Sequence, residues 1–203
     1  VTAHSRLTPD RARTDDAALI EQSAADPEVF ATLYDRHAAT IHRYVARRLG
    51  QDLADDLVAD TFLIAFRRRG GYDLSRPDAL PWLYGIAANL IGKHRRAEVR
   101  AYRALARTGT DPVAESYTDR IDGQVSAQAS SKQLAAALAA LSAKDRDVLL
   151  LIAWAELTYD AVGQALGIPI GTVRSRLNRA RKKMRAALGG IDPTLVQEVA
   201  TRG

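Results

Sequence analysis

Leu157–Arg185, LTYDAVGQALGIPIGTVRSRLNRARKKMR, decides the fold. It predicts a helix, a tight turn and a second helix. Thr158 is a good N-cap, and Asp160 puts negative charge in the first turn of the leading helix. Gly167 can take the left-handed conformation that ends that helix, and Pro169 suits the first turn of the next. Beyond it, Val173, Leu177, Ala180, Met184 and Leu188 recur at helical spacing, so one stripe is buried. Arg174, Arg176, Arg179, Arg181, Lys182, Lys183 and Arg185 fill the same stretch with cations and no acid. The outward face presents Ser175, Asn178, Arg179 and Lys182, with Arg174 at its edge. Arginine can pair with guanine edges and asparagine with adenine, while the remaining cations neutralise phosphates. An isolated basic helix would be an ordinary solvated face. Behind a turn that sets two helices near a right angle, it suits a DNA major groove.

The chain has 203 residues and a net charge of +5, and the basic helix alone supplies seven positive charges, leaving about −2 for the rest. Charge is therefore localised, which points to separate anionic and non-anionic partners. Cysteine is absent, which excludes a disulfide framework, a thiolate metal site and a thiol redox switch in this sequence. The longest apolar runs, such as Leu149–Ala155, fall far short of the roughly 20 residues that span a bilayer. Val1–Arg13 is polar and lacks the apolar core of a signal peptide. The expectation is a soluble cytoplasmic protein that is not itself membrane-embedded.

No strand alternation occurs anywhere, so the expected class is all-α: two small helical domains joined by a flexible linker, the C-terminal one a helix-turn-helix. Residues 1–25 form a disordered start and a short helix opened by Thr14, Asp15 and Asp16. Residues 26–107 form the first domain. Asp26-Pro27-Glu28 opens its first long helix, which runs through Phe30, Leu33, Tyr34, His37, Ile41, Tyr44, Val45 and Leu49 to Gly50. A second helix runs from near Asp52 to Gly70-Gly71. After the loop Tyr72–Pro81, a third starts at about Pro81 or Trp82 and continues past Arg96. Residues 108–131 lack sustained periodicity and are the expected linker. Residues 132–190 hold the second domain, where Ser142 and Asp145 form a capping-box pattern. The tail 191–203 carries a short amphipathic stretch.

Two faces of the first domain stand out. On the Asp52–Phe66 helix, Leu53, Leu57, Val58, Thr61, Phe62 and Ala65 share one side. Asp52, Asp56 and Asp60 line the other at i, i+4 and i+8, where like charges repel by a few tenths of a kcal/mol per pair, roughly. Leu63 falls among these acids, either as a single exposed leucine or as an anchor in a charged rim. On the helix from Trp82, the side opposite Leu83, Ile86, Ala87, Leu90 and Ile91 is smooth: Gly85, Ala88 and Gly92, beside Asn89, Arg95 and Arg96. Small residues there admit another backbone, whether a neighbouring helix or a nucleic acid. The basic run Lys93–Arg107, interrupted among charges only by Glu98, favours nucleic acid. Tyr72, Trp82 and Tyr84 could stack on unpaired bases.

In this order the motifs resemble bacterial RNA polymerase sigma factors of the extracytoplasmic-function (ECF) group, over residues of about 26 to 188. LADDLVADTFLIAF (Leu53–Phe66) and PWLYGIAANLIGKHRR (Pro81–Arg96) are similar to the family's region 2; LSAKDRDVLLL and GIPIGTVRSRLNRARKKMR are similar to region 4. The resemblance implies a dissociable initiation factor with no cofactor and no metal. Asp52, Asp56, Asp60 and Leu63 would dock on the β′ clamp of core RNA polymerase, and region 4 near its β flap. Tyr72, Trp82, Asn89, Arg95 and Arg96 would capture the proximal promoter element as single-stranded DNA. Arg174, Ser175, Asn178, Arg179 and Lys182 would read the distal element as duplex. An anti-sigma factor is an implied partner. Departures from the family pattern include Ala59 for glutamine, Gly85 for a basic residue, Lys93 for aspartate, Ala161 for glutamate and Gly163 for alanine; Asn178 occupies a variable base-reading position.

Two other functional classes account for less of the sequence. A ligand- or partner-regulated helix-turn-helix regulator would bind duplex DNA as a dimer, but it leaves Trp82–Arg96 and Leu63 without a role. An enzyme is disfavoured, because His4, His37, His42 and His94 lack ligand spacing and no glycine loop matches a phosphate cradle.

Overall fold

Apolar residues recur with helical period through both halves of the chain, and the backbone follows them. The protein, described by a computed structural model over residues 15–108 and 124–189, shows helices and no strand among those residues. The expectations for the disordered start, for most of the linker and for the tail 191–203 lie outside the described residues. In order come α1 (Asp16–Gln22), a 3-10 turn (Pro27–Val29), α2 (Phe30–Leu49), α3 (Gln51–Arg68), a second 3-10 turn (Arg69–Gly71), α4 (Leu80–Lys93), α5 (Arg95–Thr108), α6 (Gln124–Ala140), α7 (Ala143–Ala153), α8 (Tyr159–Leu166) and α9 (Ile170–Ala187).

Three details differ from the sequence expectation. The helix expected to run past Arg96 breaks at His94, whose φ of −97° and ψ of 23° leave the helical region, so Arg95 and Arg96 open a separate helix. α6 begins at Gln124, inside the stretch expected to be linker; QVSAQASSKQ lacks an apolar stripe yet contains good helix formers, and helix formation needs no periodicity. Tyr34, which recurs along α2 with its core residues, is 45% exposed.

α2 and α3 pack side by side, and α4 lies across both. Leu33, Ile41 and Val45 meet Leu57, Val58 and Phe62, with Leu83, Ala87 and Ile91 closing the core. In the second half, Val148–Leu151 of α7 and Val162 of α8 pack on Val173, Leu177, Ala180 and Met184 of α9. These two sets are continuous: α5 lies along α6, and α8 lies against α4.

A buried ion cluster crosses between the halves. Arg48 of α2 donates from Nε to Glu98 Oε1 (2.7 Å), from Nη1 to the Tyr44 hydroxyl (2.8 Å) and from Nη2 to Asp147 Oδ1 (2.6 Å). Arg146 of α7 donates to the other Glu98 oxygen at 2.7 Å and to the carbonyls of Leu138 and Leu141 at the end of α6. The Arg48, Glu98 and Arg146 side chains are 1–2% exposed, so each is out of water and needs the others. Burial, reinforced by Glu98, outweighs the pull of Arg48 and holds the Asp147 carboxyl above its ordinary range.

A second polar knot fixes the loop before α4. The Asp16 amide donates to the Pro77 carbonyl (2.9 Å), and the Asp16 carboxylate accepts from the Ala79 amide (2.9 Å), His37 Nε2 (2.8 Å) and Arg36. Burial raises the Asp16 pKa, but the bonds from His37, Ala79 and Arg36 more than offset it and leave the group below its usual value. Asp16, His37 and Asp78 have atoms within 4.8 Å of one another. Their bonds describe an anchor and not a ligand set: Asp16 already serves an arginine, and Asp78 accepts the Leu80 amide at the start of α4.

A lowered folded-state pKa means that Asp16 stabilises the fold above the ordinary aspartate range and loses that contribution as pH falls through it. Asp16→Asn should therefore lower unfolding free energy at neutral pH by about 1.5–3 kcal/mol, the range for hydrogen bonds to charged groups. The gap from the parent should narrow below about pH 4. Urea denaturation across that pH range measures it; a gap that widens in acid would contradict the assignment.

Candidate nucleic-acid and partner interfaces

The helix-turn-helix is built as its sequence dictates. The Thr158 hydroxyl accepts the Ala161 amide at 3.2 Å. At the other end of α8, Gly167 takes φ 62° and ψ 39°, its amide bonds Gln164, and the Ile168 amide returns to the Gly163 carbonyl at 2.9 Å. That pair of bonds closes the helix end with a left-handed residue, where any side chain but glycine's is strained. Gly163 permits the close approach: a Cβ there would lie 3.0 Å from the Ile168 carbonyl oxygen.

Val173, Leu177, Ala180 and Met184 are at most 2% exposed, which fixes the rotation of α9. Arg174, Ser175, Asn178, Arg179 and Lys182 all face solvent on its far side. Ser175 donates to the Thr172 carbonyl (3.0 Å), and Arg179 forms an ion pair with Asp145 of α7 at 3.3 Å while its side chain stays 59% exposed. Arg179 would have to exchange this carboxylate for a phosphate or base; Asp145 as its partner was not legible from the sequence.

Around the N-terminal half of α4, the loop folds on itself. The Tyr72 hydroxyl donates to the carbonyls of Arg76 (2.8 Å) and Asp78 (3.0 Å), and its ring lies 5.0 Å from that of Trp82. Burial and the nearby Asp16 and Asp78 push the Tyr72 pKa up to about 12, so the hydroxyl remains a donor. Tyr72, Trp82 and Asn89 line one cavity of about 270 Å³. Arg68 and Arg76 join its wall and bring positive charge; the run Arg67–Arg69 before Gly70 is the sequence signal for the first of them. Arg95 and Arg96 are exposed but lie past the break at His94, outside this lining. The wall opposite α4 comes from Gln164 and Ala165 of α8.

On α3, Asp52, Asp55, Asp56 and Asp60 are all exposed, and Leu63 is 45% exposed in their midst. Tyr34 of α2 shows the same exposure, its ring set edge-on 4.8 Å from that of Phe62. Asp55 is paired with His42 at 3.2 Å. The face thus joins carboxylates to apolar side chains that the core leaves uncovered.

Comparison with known proteins covers both halves. Sigma-70 region 2 is matched over residues 33–107 and sigma-70 region 4 over residues 131–184. The ECF RNA polymerase sigma factor SigL of Mycobacterium tuberculosis is 33% identical over 168 residues, covering 82% of this chain and 92% of the relative. CarQ of Myxococcus xanthus, an RNA polymerase sigma factor, is 31% identical over 81% of this chain and 92% of its own. Among solved structures, the fold is shared with CnrH in complex with the cytosolic domain of CnrY, with a TM-score of 0.58, 24% identity, and coverage of 86% of this chain and 97% of that one. It is shared as well with the sigma factor RpoE of Bartonella quintana, solved with the anti-sigma factor NepR, at a TM-score of 0.55 and 22% identity over 79% and 96% of the two chains. With both regions matched in order and a relative at 33% identity spanning them, the chain belongs to the ECF RNA polymerase sigma factors.

Proposed function

We propose that the chain acts as a cytoplasmic, dissociable transcription initiation factor, holding core RNA polymerase through α3 and the promoter through α4 and α9. The observation that carries this reading is the pairing of a helix-turn-helix with a second, chemically different site. Tyr72 and Trp82 beside Asn89, Arg68 and Arg76 offer stacking surfaces and cations together, the combination that holds unpaired bases. A duplex-binding regulator needs only α9. The acid-ringed Leu63 suits a basic partner with an apolar contact at its centre, as the β′ clamp would be. Relatives solved with anti-sigma factors make such a protein a natural further partner. Polymerase supplies the bond-forming chemistry, and this chain supplies position.

The direct test is transcription in vitro with core polymerase on a genomic fragment library; no defined start site with the factor added would end the reading. Leu63→Arg should weaken core binding by about 2 kcal/mol, as expected for loss of an interface anchor, and leave the circular dichroism melt unchanged. Equal co-purification with core would remove Leu63 from the interface. Arg174→Ala should cost about 1–3 kcal/mol of discrimination between cognate and altered distal elements. Uniform weakening on all sequences would make it a phosphate contact instead. Trp82→Ala should reduce permanganate reactivity of promoter thymines in the open complex while initial duplex binding stays intact; a parental footprint would discount stacking at that position.

A further inference from the structure

We propose that a cleft between α2, α4 and the segment joining α7 to α8 binds a guanine nucleotide. The cleft holds about 280 Å³, close to the lower limit of small-molecule sites, and shares no lining residue with the cavity of Tyr72, Trp82 and Asn89. Arg43 and Arg47 stand one turn apart on α2, Tyr84 comes from α4, and Trp154 and Glu156 follow the end of α7. Two cations against one carboxylate favour an anion. Guanidinium forks match phosphate oxygens in pairs. Arg43 donates from Nη2 to Thr40 Oγ1 at 3.5 Å, a long bond that costs little to exchange for a phosphate. The Arg47 guanidinium lies 5.8 Å from the centre of the Trp154 ring, near the outer limit of a cation–π contact. Turning Arg47 toward a phosphate frees the indole face for a flat base.

Glu156 selects the base. Its φ of 54° is left-handed, and among the described residues every other positive φ belongs to a glycine: Gly50, Gly167 and Gly189. A glutamate held where glycine would sit without strain points to a use for its carboxylate. Burial pushes the Tyr84 pKa up to about 12 against the pull of Arg43, so its hydroxyl stays a donor. Arg43 and Glu156 both act on that hydroxyl, which sets the cationic and anionic ends of the cleft within reach of one small molecule. A carboxylate only accepts hydrogen bonds. Guanine turns two adjacent donors toward it, N1–H and N2–H, whereas adenine has an unprotonated N1 at the same edge.

Titration calorimetry of the full chain with GMP, AMP and ribose 5-phosphate separates recognition of the base from recognition of the phosphate. GMP should bind about tenfold or more tightly than either of the others, the ratio for one hydrogen bond to a charged group. Arg43→Ala and Arg47→Ala, at exposed positions where alanine keeps the helix, should each weaken GMP about tenfold. Glu156→Gln should erase the preference for GMP over AMP and leave ribose 5-phosphate no weaker. No saturable GMP binding below about 1 mM overturns the proposal. So does binding indifferent to both arginines, which would put the nucleotide on another basic surface. Ribose 5-phosphate as tight as GMP, or a GMP preference that survives Glu156→Gln, removes the base from the site and defeats the proposal as well. None of these outcomes bears on promoter binding by α4 or α9.

Discussion

A single carboxylate organises the molecule. Each oxygen of Glu98 holds a different guanidinium, one from α2 and one from α7, and all three side chains are shut off from water. None can move without leaving an uncompensated charge in a low-dielectric interior, a loss of about 3–5 kcal/mol. Apolar side chains in the same volume would pack as well, but their contacts are not directional. Charge-assisted hydrogen bonds from two helices to the two oxygens of one carboxylate are directional and set register. Because Arg146 also donates to carbonyls at the end of α6, Glu98 ties α5, α6 and α7 together, and α8 packs against α4 beside them.

α4 answers to several neighbours at once. Leu83, Ala87 and Ile91 belong to the core with α2 and α3, its opening residues close the loop that Asp16 anchors, and Gly85 meets α8. An ordinary amphipathic helix keeps one face for solvent. This one is buried almost all round, and at Gly85 the lack of a side chain is what makes that geometrically allowed, letting α8 approach to backbone distance. The smoothness of the helix, ambiguous in sequence between a neighbouring helix and a nucleic acid, meets a neighbouring helix at Gly85, whereas a Cβ on Gly92 would have no atom within 4 Å.

The helix-turn-helix was legible because its signals are local. Thr158, Gly167 and Pro169 act within a few residues of where they stand, and the α9 stripe repeats at a fixed period. The α3 faces were legible for the same reason. Arg48, Glu98 and Arg146 were not, since partners 50 and 48 positions apart carry no periodic signature and each looks like a surface charge. Glu98 registered only as an interruption in a basic run. The break at His94 falls two residues after Gly92, which reads in sequence as part of the smooth face and not as a stop. For the candidate site, Tyr72, Trp82 and Asn89 converge, whereas Arg95 and Arg96 are carried elsewhere by that break. Arg68 and Asp145 enter through tertiary contact, which spacing alone does not encode.

Burial of the Glu98 cluster has a consequence for ionic strength. Mobile ions screen charges they can approach, over about 8 Å at physiological concentration, and they cannot approach side chains that are 1–2% exposed. The cations of α9 stand in solvent, and attraction of that kind to a polyanion falls steeply as counterions are added. Rising salt therefore weakens the attraction of α9 for a polyanion far more than it weakens the Glu98 cluster, so the fold and the charged surface respond to electrolyte on different scales.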